Sequence, residues 1–236
     1  MAGPTMRRDL LIGGGVLAVG LTFVVGSVYS MLSVQAPPQG PGRQAVGAAP
    51  RLPSDPRLAE RAMGAADAPV VVREYFSLTC THCAAFAGSV LPRIRTELVD
   101  RGLARYVFED FPIDGLALSA AVLARSLPPD RYVPFVLDLL SSQNSWAFGP
   151  GAASAPAAPG SPLAQRAAAF GMTAAAFDAA MADRALADAI LDGRQRAAET
   201  AGVRGTPSFS FNGGRLVVGD IAFDDFASRV SHATAG

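Results

Sequence analysis

The chain contains only two cysteines, and they stand three positions apart in the run Cys80-Thr81-His82-Cys83. Two thiols at this spacing can form a disulfide and pass it on by exchange, because one thiol meets the substrate and the other resolves the mixed disulfide. A helical pattern begins at or just before Cys83, so Cys80 lies at the helix N-terminus, where free N–H groups and the helix dipole stabilise a thiolate. His82, when protonated, adds a second stabilising charge. These features predict an attacking Cys80 with a lowered pKa and a shielded, resolving Cys83.

Other uses of the cysteine pair fit the sequence less well. A structural zinc site normally takes four ligands, and the remaining cysteine or histidine candidates are only His82 and His232. Covalent haem attachment needs a histidine directly after the second cysteine, where this chain has Ala84. A structural disulfide that closes so short a loop would constrain few unfolded conformations and would stabilise little. The pair therefore indicates redox chemistry without a metal or another cofactor.

The composition is that of a globular protein with balanced charge. Half of the 236 residues are hydrophobic, which is sufficient for a packed core. The 20 basic side chains are matched by 20 acidic ones, so the formal net charge is zero. A nucleic-acid partner normally requires a basic face, and this balance gives no electrostatic reason to expect one. We therefore expect no nucleic-acid partner.

The N-terminal sequence indicates export from the cytoplasm. The basic pair Arg7-Arg8 precedes a stretch from Leu10 to Val34 that contains no charged residue. A basic flank before an apolar run is typical of an export signal or a membrane anchor. The run is longer than the apolar core of a cleaved signal, about 7–15 residues, and reaches the length of a membrane span, about 20 residues. Residues 1–35 are therefore predicted to be a signal sequence or a membrane anchor, with cleavage and the choice between Sec and twin-arginine export left open.

The rest of the chain divides into a linker and one folded domain. Residues 36–62 are rich in proline, glycine, glutamine and arginine, and they predict a flexible linker because such a segment buries little apolar surface. Residues 63–236 are predicted to form an α/β domain with one central sheet and an inserted helical region at about 115–201. The other predicted elements are a strand over 69–76, a helix over 83–101 kinked at Pro92, a strand over 106–111, a hairpin of strands over 208–211 and 215–218, and a last helix over 223–230.

Two longer runs of the sequence carry a family resemblance. The first is Gly64-Ala65-Ala66-Asp67-Ala68-Pro69-Val70 followed by Glu74-Tyr75-Phe76-Ser77, which leads into the cysteine pair. The second is Gly202-Val203-Arg204-Gly205-Thr206-Pro207-Ser208-Phe209. Together they resemble the redox motif and the cis-proline loop of the DsbA-like branch of the thioredoxin superfamily, over about residues 63–232. Softer agreement is found in Phe108-Glu109-Asp110-Phe111-Pro112 and Gln143-Asn144-Ser145-Trp146.

The resemblance implies a fold and a substrate-binding loop. The fold is thioredoxin-like α/β with an inserted α-helical region, preceded here by the predicted signal or anchor helix. A cis peptide bond is implied before Pro207, in a loop that packs against the cysteine pair. In the family, free backbone groups of this loop bind an extended substrate segment by strand addition. Thr206, Pro207 and Thr81 are therefore the expected substrate-binding residues.

The resemblance also implies a role for Glu74, six residues before Cys80. The family has a buried acid at this place, which moves a proton to or from the inner cysteine. Strand alternation puts Val70, Val72, Glu74 and Phe76 on one face, which favours burial of the carboxyl group. Burial raises a carboxyl pKa toward the range in which the group exchanges a proton at neutral pH. The expected catalytic residues are thus Cys80, Cys83, His82 and Glu74.

The function that follows from the resemblance is that of a periplasmic dithiol oxidase. It would donate the Cys80–Cys83 disulfide to exported proteins bearing thiols, and a membrane redox partner would regenerate the disulfide. Thr81 replaces the proline of the best-known oxidases of the family, and Thr206 is more usual in thioredoxins and isomerases. A disulfide isomerase or reductase of the same family therefore stays an alternative. A non-enzymatic, membrane-tethered chaperone or assembly factor is the alternative from a different class.

Overall fold

The computed structural model describes residues 55–149, 158 and 160–234. The predicted signal or anchor over 1–35 lies outside the described residues, and so does the predicted linker before residue 55. Within the described ranges, no helix combines the length and the apolar character needed to cross a membrane.

The centre of the fold is a mixed sheet of five strands in the order β1-β3-β2-β4-β5. The β2–β3 pair is parallel, while the β1–β3, β2–β4 and β4–β5 pairs are antiparallel. Because parallel neighbours need a crossover connection, the helix that carries the cysteines lies between β2 and β3 in the chain. The strands are β1 (Arg61–Met63), β2 (Val70–Phe76), β3 (Ala104–Asp110), β4 (Ser208–Phe211) and β5 (Val217–Val218).

Helices follow β2, β3 and β5 in the chain. Six of the described helices, α3 to α8, stand between β3 and β4 in the chain, where the sequence predicts an inserted helical region. Short helical turns at Pro56–Leu58, Arg95–Val99 and Ala197–Ala201 complete the described elements. The helices are α1 (Thr81–Ser89), α2 (Leu91–Ile94), α3 (Gly115–Ser126), α4 (Pro129–Ser141), α5 (Gln143–Trp146), α6 (Pro162–Ala169), α7 (Ala174–Ala182), α8 (Arg184–Arg196) and α9 (Phe223–Thr234).

The fold begins earlier than the sequence predicts. Residues 61–63, assigned to the linker or its boundary, form the edge strand β1 and pair with β3. The segment just before β1 is held by the buried Arg125, whose Nη1 donates to the carbonyl oxygens of Arg57 (3.1 Å) and Ala59 (2.7 Å). A strand of three residues is too short to show an alternating pattern, so no local pattern predicts it.

The helix after the cysteines also differs from its prediction. Instead of one helix kinked at Pro92, α1 ends at Ser89 and α2 begins at Leu91. Pro92 lies in the first turn of α2, where its missing N–H costs no hydrogen bond. Val90 joins the two helices and donates its N–H to the carbonyl of Phe86 (2.9 Å), so the break precedes the proline.

The hairpin near the C-terminus places β4 beside the strand that leads to the cysteines. Asn212 (φ 48°) and Gly213 (φ 71°), a residue pair that favours tight hairpin turns, form its turn, and the N–H of Gly214 donates to the carbonyl of Phe211. The side-chain oxygen of Asn212 accepts a hydrogen bond from the N–H of Val71 (2.7 Å), which fastens the turn to β2.

An aromatic cluster fills the space between α1, α9 and the sheet. Phe226 of α9 lies in its centre, with ring centroids 5.9 Å from Phe209 and 6.3 Å from Tyr106. Phe86 of α1 contacts Phe209 at a centroid distance of 4.7 Å. Burial of rings of this size is a large source of stability, and it holds the cysteine-bearing helix against the sheet.

Candidate active site

Cys80 is the residue that caps the N-terminus of α1. Its backbone is extended (φ −79°, ψ 117°), and its Sγ accepts a hydrogen bond from the N–H of Cys83 at 3.4 Å. The carbonyl of Cys80 already accepts the first helical hydrogen bond, from the N–H of Ala84 (3.1 Å). The thiol therefore lies where free backbone N–H groups of the helix end point, as the sequence predicts.

The surroundings of Cys80 favour its thiolate. The pKa of Cys80 is lowered to about 5, chiefly by a hydrogen bond from the Cys83 side chain, while burial acts in the opposite direction. A hydrogen bond from Thr206 and the backbone N–H groups of Cys83 and His82 lower the pKa further. At neutral pH the reduced protein thus carries a negative charge on this sulfur.

Cys83 holds its proton tightly. The residue is fully buried, and its pKa lies far above the usual range because it donates a hydrogen bond to Cys80, is desolvated and feels the charge of Glu74. Cys80 itself is only 6 % exposed. Both cysteines are free thiols here, and the pair is chemically unequal.

The loop with Thr206 and Pro207 covers Cys80. The Thr206–Pro207 peptide bond is cis, as the family resemblance implies. Sγ of Cys80 lies 3.3 Å from the carbonyl oxygen of Thr206, which can accept a hydrogen bond from the protonated form of the thiol, and the carbonyl of Pro207 accepts from the N–H of Gly219 (2.8 Å). Thr81, the first residue of α1, is exposed. The structure therefore brings the predicted loop and the predicted cysteine together.

The imidazole of His82 points to a different partner than Cys80. Its Nδ1 lies 3.0 Å from Oδ2 of Asp220, and both side chains are largely exposed. This hydrogen bond raises the pKa of His82, followed by the charge of Asp220, with a smaller contribution from Cys80. Asp220 follows β5 and was not expected from the sequence, because nothing local links it to the redox motif.

Glu74 is buried in the centre of the sheet, on the face that strand alternation predicts. It is 2 % exposed, and its Oε2 accepts a hydrogen bond from the hydroxyl of Tyr106 at 2.7 Å. No group in the described part of the chain bonds its other oxygen, Oε1, which is also buried. Burial raises the pKa of Glu74 to about 7, against the Tyr106 hydrogen bond, and the charge of Cys80 adds to the rise. The carboxyl group therefore titrates at the pH at which thiols exchange.

Two side chains from outside the loop, Gln143 and Asp114, hold the loop before Cys80. Gln143 of α5 is buried, and its Nε2 donates to the carbonyl oxygens of Leu78 (2.8 Å) and Cys80 (3.0 Å). The hydroxyl of Thr79 donates to Oδ2 of Asp114 (2.6 Å), the residue that caps α3. The sequence offered Gln143 only as part of a softer resemblance, whereas Asp114 carries a helix-capping signal that could have marked it.

Among the residues that the structure describes, no group of three or more His, Cys, Asp or Glu could hold a metal ion.

A family model described as Thioredoxin matches residues 57–230, which is more than half of the chain. The solved structure of alpha-DsbA1 from Wolbachia pipientis is 25 % identical in sequence and superposes with a TM-score of 0.66, covering 75 % of this chain and 92 % of that one. The chain belongs to the DsbA-like thiol–disulfide oxidoreductase family. The matched range includes the Cys80–Cys83 pair and the cis-proline loop.

Two further comparisons bear on this DsbA-like chain. BdbD from Bacillus subtilis, in its oxidised form, is 17 % identical and has a TM-score of 0.61 over 75 % of this chain and 94 % of that one, which supports the fold alone. A protein of Rickettsia prowazekii (strain Madrid E), named as a candidate protein-disulfide oxidoreductase, is 34 % identical over 80 residues. That match covers 34 % of this chain and 29 % of the relative, so the chain matches less than a third of the relative's length.

Proposed function

We propose that the protein is a dithiol oxidase that passes a Cys80–Cys83 disulfide to thiols of other proteins. The observation that carries the proposal is the inequality of the two thiols, with a pKa of about 5 for Cys80 and a strongly raised pKa for Cys83. A low pKa of Cys80 stabilises the reduced pair relative to the disulfide. A disulfide that is unstable relative to its reduced form is readily given to a substrate.

The proposed reaction starts with a substrate thiolate that attacks Sγ of Cys80. The Cys80–Cys83 bond breaks as the bond between substrate and Cys80 forms, and Cys83 leaves as a thiolate that takes a proton from the carboxyl group of Glu74. A second substrate thiolate then attacks the substrate sulfur of the mixed disulfide and expels Cys80 as its stabilised thiolate. The substrate loses two electrons as its disulfide forms, and the cysteine pair gains them.

The cis-proline loop is proposed to present the substrate. Its carbonyl at Thr206 already lies within hydrogen-bond distance of Cys80, so a peptide that pairs with the backbone there brings its cysteine to the reacting sulfur. Thr81 is exposed next to Cys80 in the chain and completes the proposed substrate-binding set with Thr206 and Pro207. His82 is proposed to act through its backbone N–H and, in its protonated form, through its charge.

The proposal extends to location and partners. Disulfides persist outside the cytoplasm, and the basic and apolar N-terminal sequence is typical of an exported or anchored protein. We place the protein in the periplasm, free or attached to the inner membrane, with exported thiol proteins as substrates. A membrane quinone-linked oxidase would take the two electrons and restore the disulfide.

Two single substitutions test the proposal in the full chain. Cys83→Ser cannot form the Cys80–Cys83 disulfide, but its Cys80 thiolate can still attack a disulfide of a substrate protein and release one substrate thiol. Because Cys83 is no longer there to expel the attached substrate, these mixed disulfides should accumulate and be visible on non-reducing gels. Cys80→Ser should form none and should lose disulfide transfer. Survival of transfer in Cys80→Ser would contradict the redox function and favour a binding role alone. If Cys80 is needed only for the reduction of substrate disulfides, and substrate thiols are not oxidised, the protein would instead be a reductase.

A further inference from the structure

The hydroxyl of Tyr106 holds one of the two oxygens of Glu74 in a fixed place. Tyr106 is fully buried, and its hydrogen bond to Oε2 is short, at 2.7 Å. Tyr106 belongs to β3 and Glu74 to the parallel strand β2. Tyr106 pairs with Val72, and Glu74 lies two residues after Val72 on the same face of the sheet, so Tyr106 and Glu74 share that face. The other oxygen, Oε1, is buried and has no hydrogen-bond partner among the described residues, so the two oxygens of the carboxyl group have different surroundings.

We infer that Tyr106 is a positioning residue that anchors Oε2 of Glu74, so that Oε1 is the oxygen that exchanges the proton with Cys83. This inference rests on the proposed exchange function. When Cys83 resolves a mixed disulfide, its thiol proton passes to Glu74, its sulfur attacks Sγ of Cys80, and the substrate thiolate leaves. In the oxidising direction the same proton returns to Cys83 as that sulfur leaves Cys80.

Few titrating groups act on Glu74 within the part of the chain that the structure describes, so a change in its titration can be assigned to a particular neighbour. Tyr106 faces it from β3, and the thiols of Cys80 and Cys83 face it from the end of α1. The antiparallel neighbour β4 contributes Phe209, which has no titrating group. The Tyr106 hydrogen bond lowers the pKa of Glu74 against the effect of burial, so its removal should raise that pKa.

The test measures the pH dependence of the step that Cys83 carries out, in the full reduced chain. With 5,5′-dithiobis(2-nitrobenzoate), Cys80 releases a first thionitrobenzoate, and attack by Cys83 on Cys80 releases a second in a separate phase. In the unmodified protein the rate of the second phase should show an inflection close to the pKa of Glu74. In Tyr106→Phe this inflection should move up by about one pH unit, the effect of losing one hydrogen bond to a charged group.

Two comparisons isolate the role of the hydroxyl. Tyr132→Phe removes another fully buried phenol that donates to a carboxylate, Oδ1 of Asp110 at 2.9 Å, and it should leave the inflection in place. Glu74→Gln should abolish the inflection, and Tyr106→Phe added to it should cause no further change. An inflection unchanged by Tyr106→Phe would overturn the inference, and so would a shift that persists without the Glu74 carboxyl group.

A second replacement of Tyr106 keeps the test valid if the phenylalanine variant does not fold. 3-Fluorotyrosine keeps the shape and the hydroxyl but donates a stronger hydrogen bond, so it should move the inflection to lower pH. No movement, or movement upward, would overturn the inference. Failure of the proposed function looks different: the unmodified protein would then release only one thionitrobenzoate, because Cys83 would not resolve the adduct.

Discussion

Cys80 and Cys83 share one helix end, yet they hold their protons very differently. The N–H of Cys83 and the thiol of Cys83 both point at Cys80, which concentrates the stabilisation on one sulfur. The pKa of Cys83 is in turn raised, because its thiol is the donor of that hydrogen bond. The asymmetry of the pair therefore arises within four residues, and it depends on the donor side chain at position 83.

This dependence gives a prediction for Cys83→Ala. Loss of the side-chain donor, the largest cause of the lowered pKa, should raise the pKa of Cys80 above its value of about 5. Cys83→Ser keeps a hydroxyl donor and should leave the pKa of Cys80 lower than in Cys83→Ala. Thiolate absorbance at 240 nm, followed against pH, measures both. Equal midpoints in the two variants would show that the helix end alone stabilises the thiolate.

Glu74 gives a second prediction, for stability against pH. Its pKa rises from 4.5 in the unfolded chain to about 7 when folded, so the stability it contributes is complete below pH 4.5 and is lost as pH rises through 7. A rise of that size corresponds to about 3 kcal/mol. Between pH 4.5 and pH 8, the free energy of unfolding of Glu74→Gln should therefore gain about that amount relative to the unmodified protein.

Denaturant unfolding of the reduced protein at the two pH values measures this gain, and the exposed Glu97→Gln serves as the control. Glu97 is 45 % exposed, and its replacement should change the difference between the two pH values by less than about 0.5 kcal/mol. A Glu74→Gln variant that follows the same pH dependence as the unmodified protein would show that Glu74 ionises normally.

The residues of the site differ in how far the sequence could predict them. The spacing of the cysteines and the alternation of β2 are local patterns, so Cys80 and the burial of Glu74 could be predicted from them. Tyr106 could not, because its contact with Glu74 depends on the register between two strands separated by 32 positions. Asp220 is linked to His82 only through the folded hairpin.

At the scale of elements, α5 and α3 hold the redox loop from outside it. Gln143 of α5 bonds two carbonyl groups of the loop, and Asp114 at the start of α3 bonds Thr79. Helices far away in the sequence thus fix the position of the cysteines. A local pattern predicts such helices by their periodicity, but it does not predict which loop they contact, and it misses an edge strand as short as β1.

Gln143→Ala tests the contribution of α5. The substitution leaves the carbonyl of Leu78 without this donor, and a buried polar group that loses its partner costs about 1–3 kcal/mol. Gln165→Ala is the matched control, because its amide bonds the carbonyl of Gly160 on an exposed surface. Denaturant unfolding should show the larger loss for Gln143→Ala. Equal losses would mean that the Gln143 contacts add nothing beyond those of a surface amide.

At the scale of the whole molecule, a buried ion pair links the end of β3 to α3. Arg125 of α3 and Asp110 at the end of β3 lie 2.6 Å apart with side chains 7 % and 6 % exposed. Arg125 also bonds the carbonyl groups of Arg57 and Ala59, so it joins the first described segment to the core. This contact explains how a proline-containing stretch becomes part of the folded domain.

Arg125→Met should therefore destabilise the domain strongly. Removing Arg125 leaves Asp110 buried without its countercharge. The loss of one partner of a buried ion pair costs about 3–5 kcal/mol. The partly exposed pair Arg166–Asp138, with side chains 34 % and 28 % exposed, provides the control, and Arg166→Met should cost less than about 1 kcal/mol. Denaturant unfolding compares the two, and amide hydrogen exchange should show faster opening at residues 57–63 in Arg125→Met. Equal losses, with unchanged exchange, would contradict this role.

The central claim concerns the direction in which the pair passes electrons, and a redox equilibrium tests it most directly. The full chain would be equilibrated with glutathione buffers of known ratio, trapped by acid and alkylation, and assayed for the Cys80–Cys83 disulfide by mass. Because the reduced pair is stabilised by the Cys80 thiolate, the midpoint should be more oxidising than about −200 mV. A midpoint more reducing than about −200 mV, or the absence of a Cys80–Cys83 disulfide, would contradict the account.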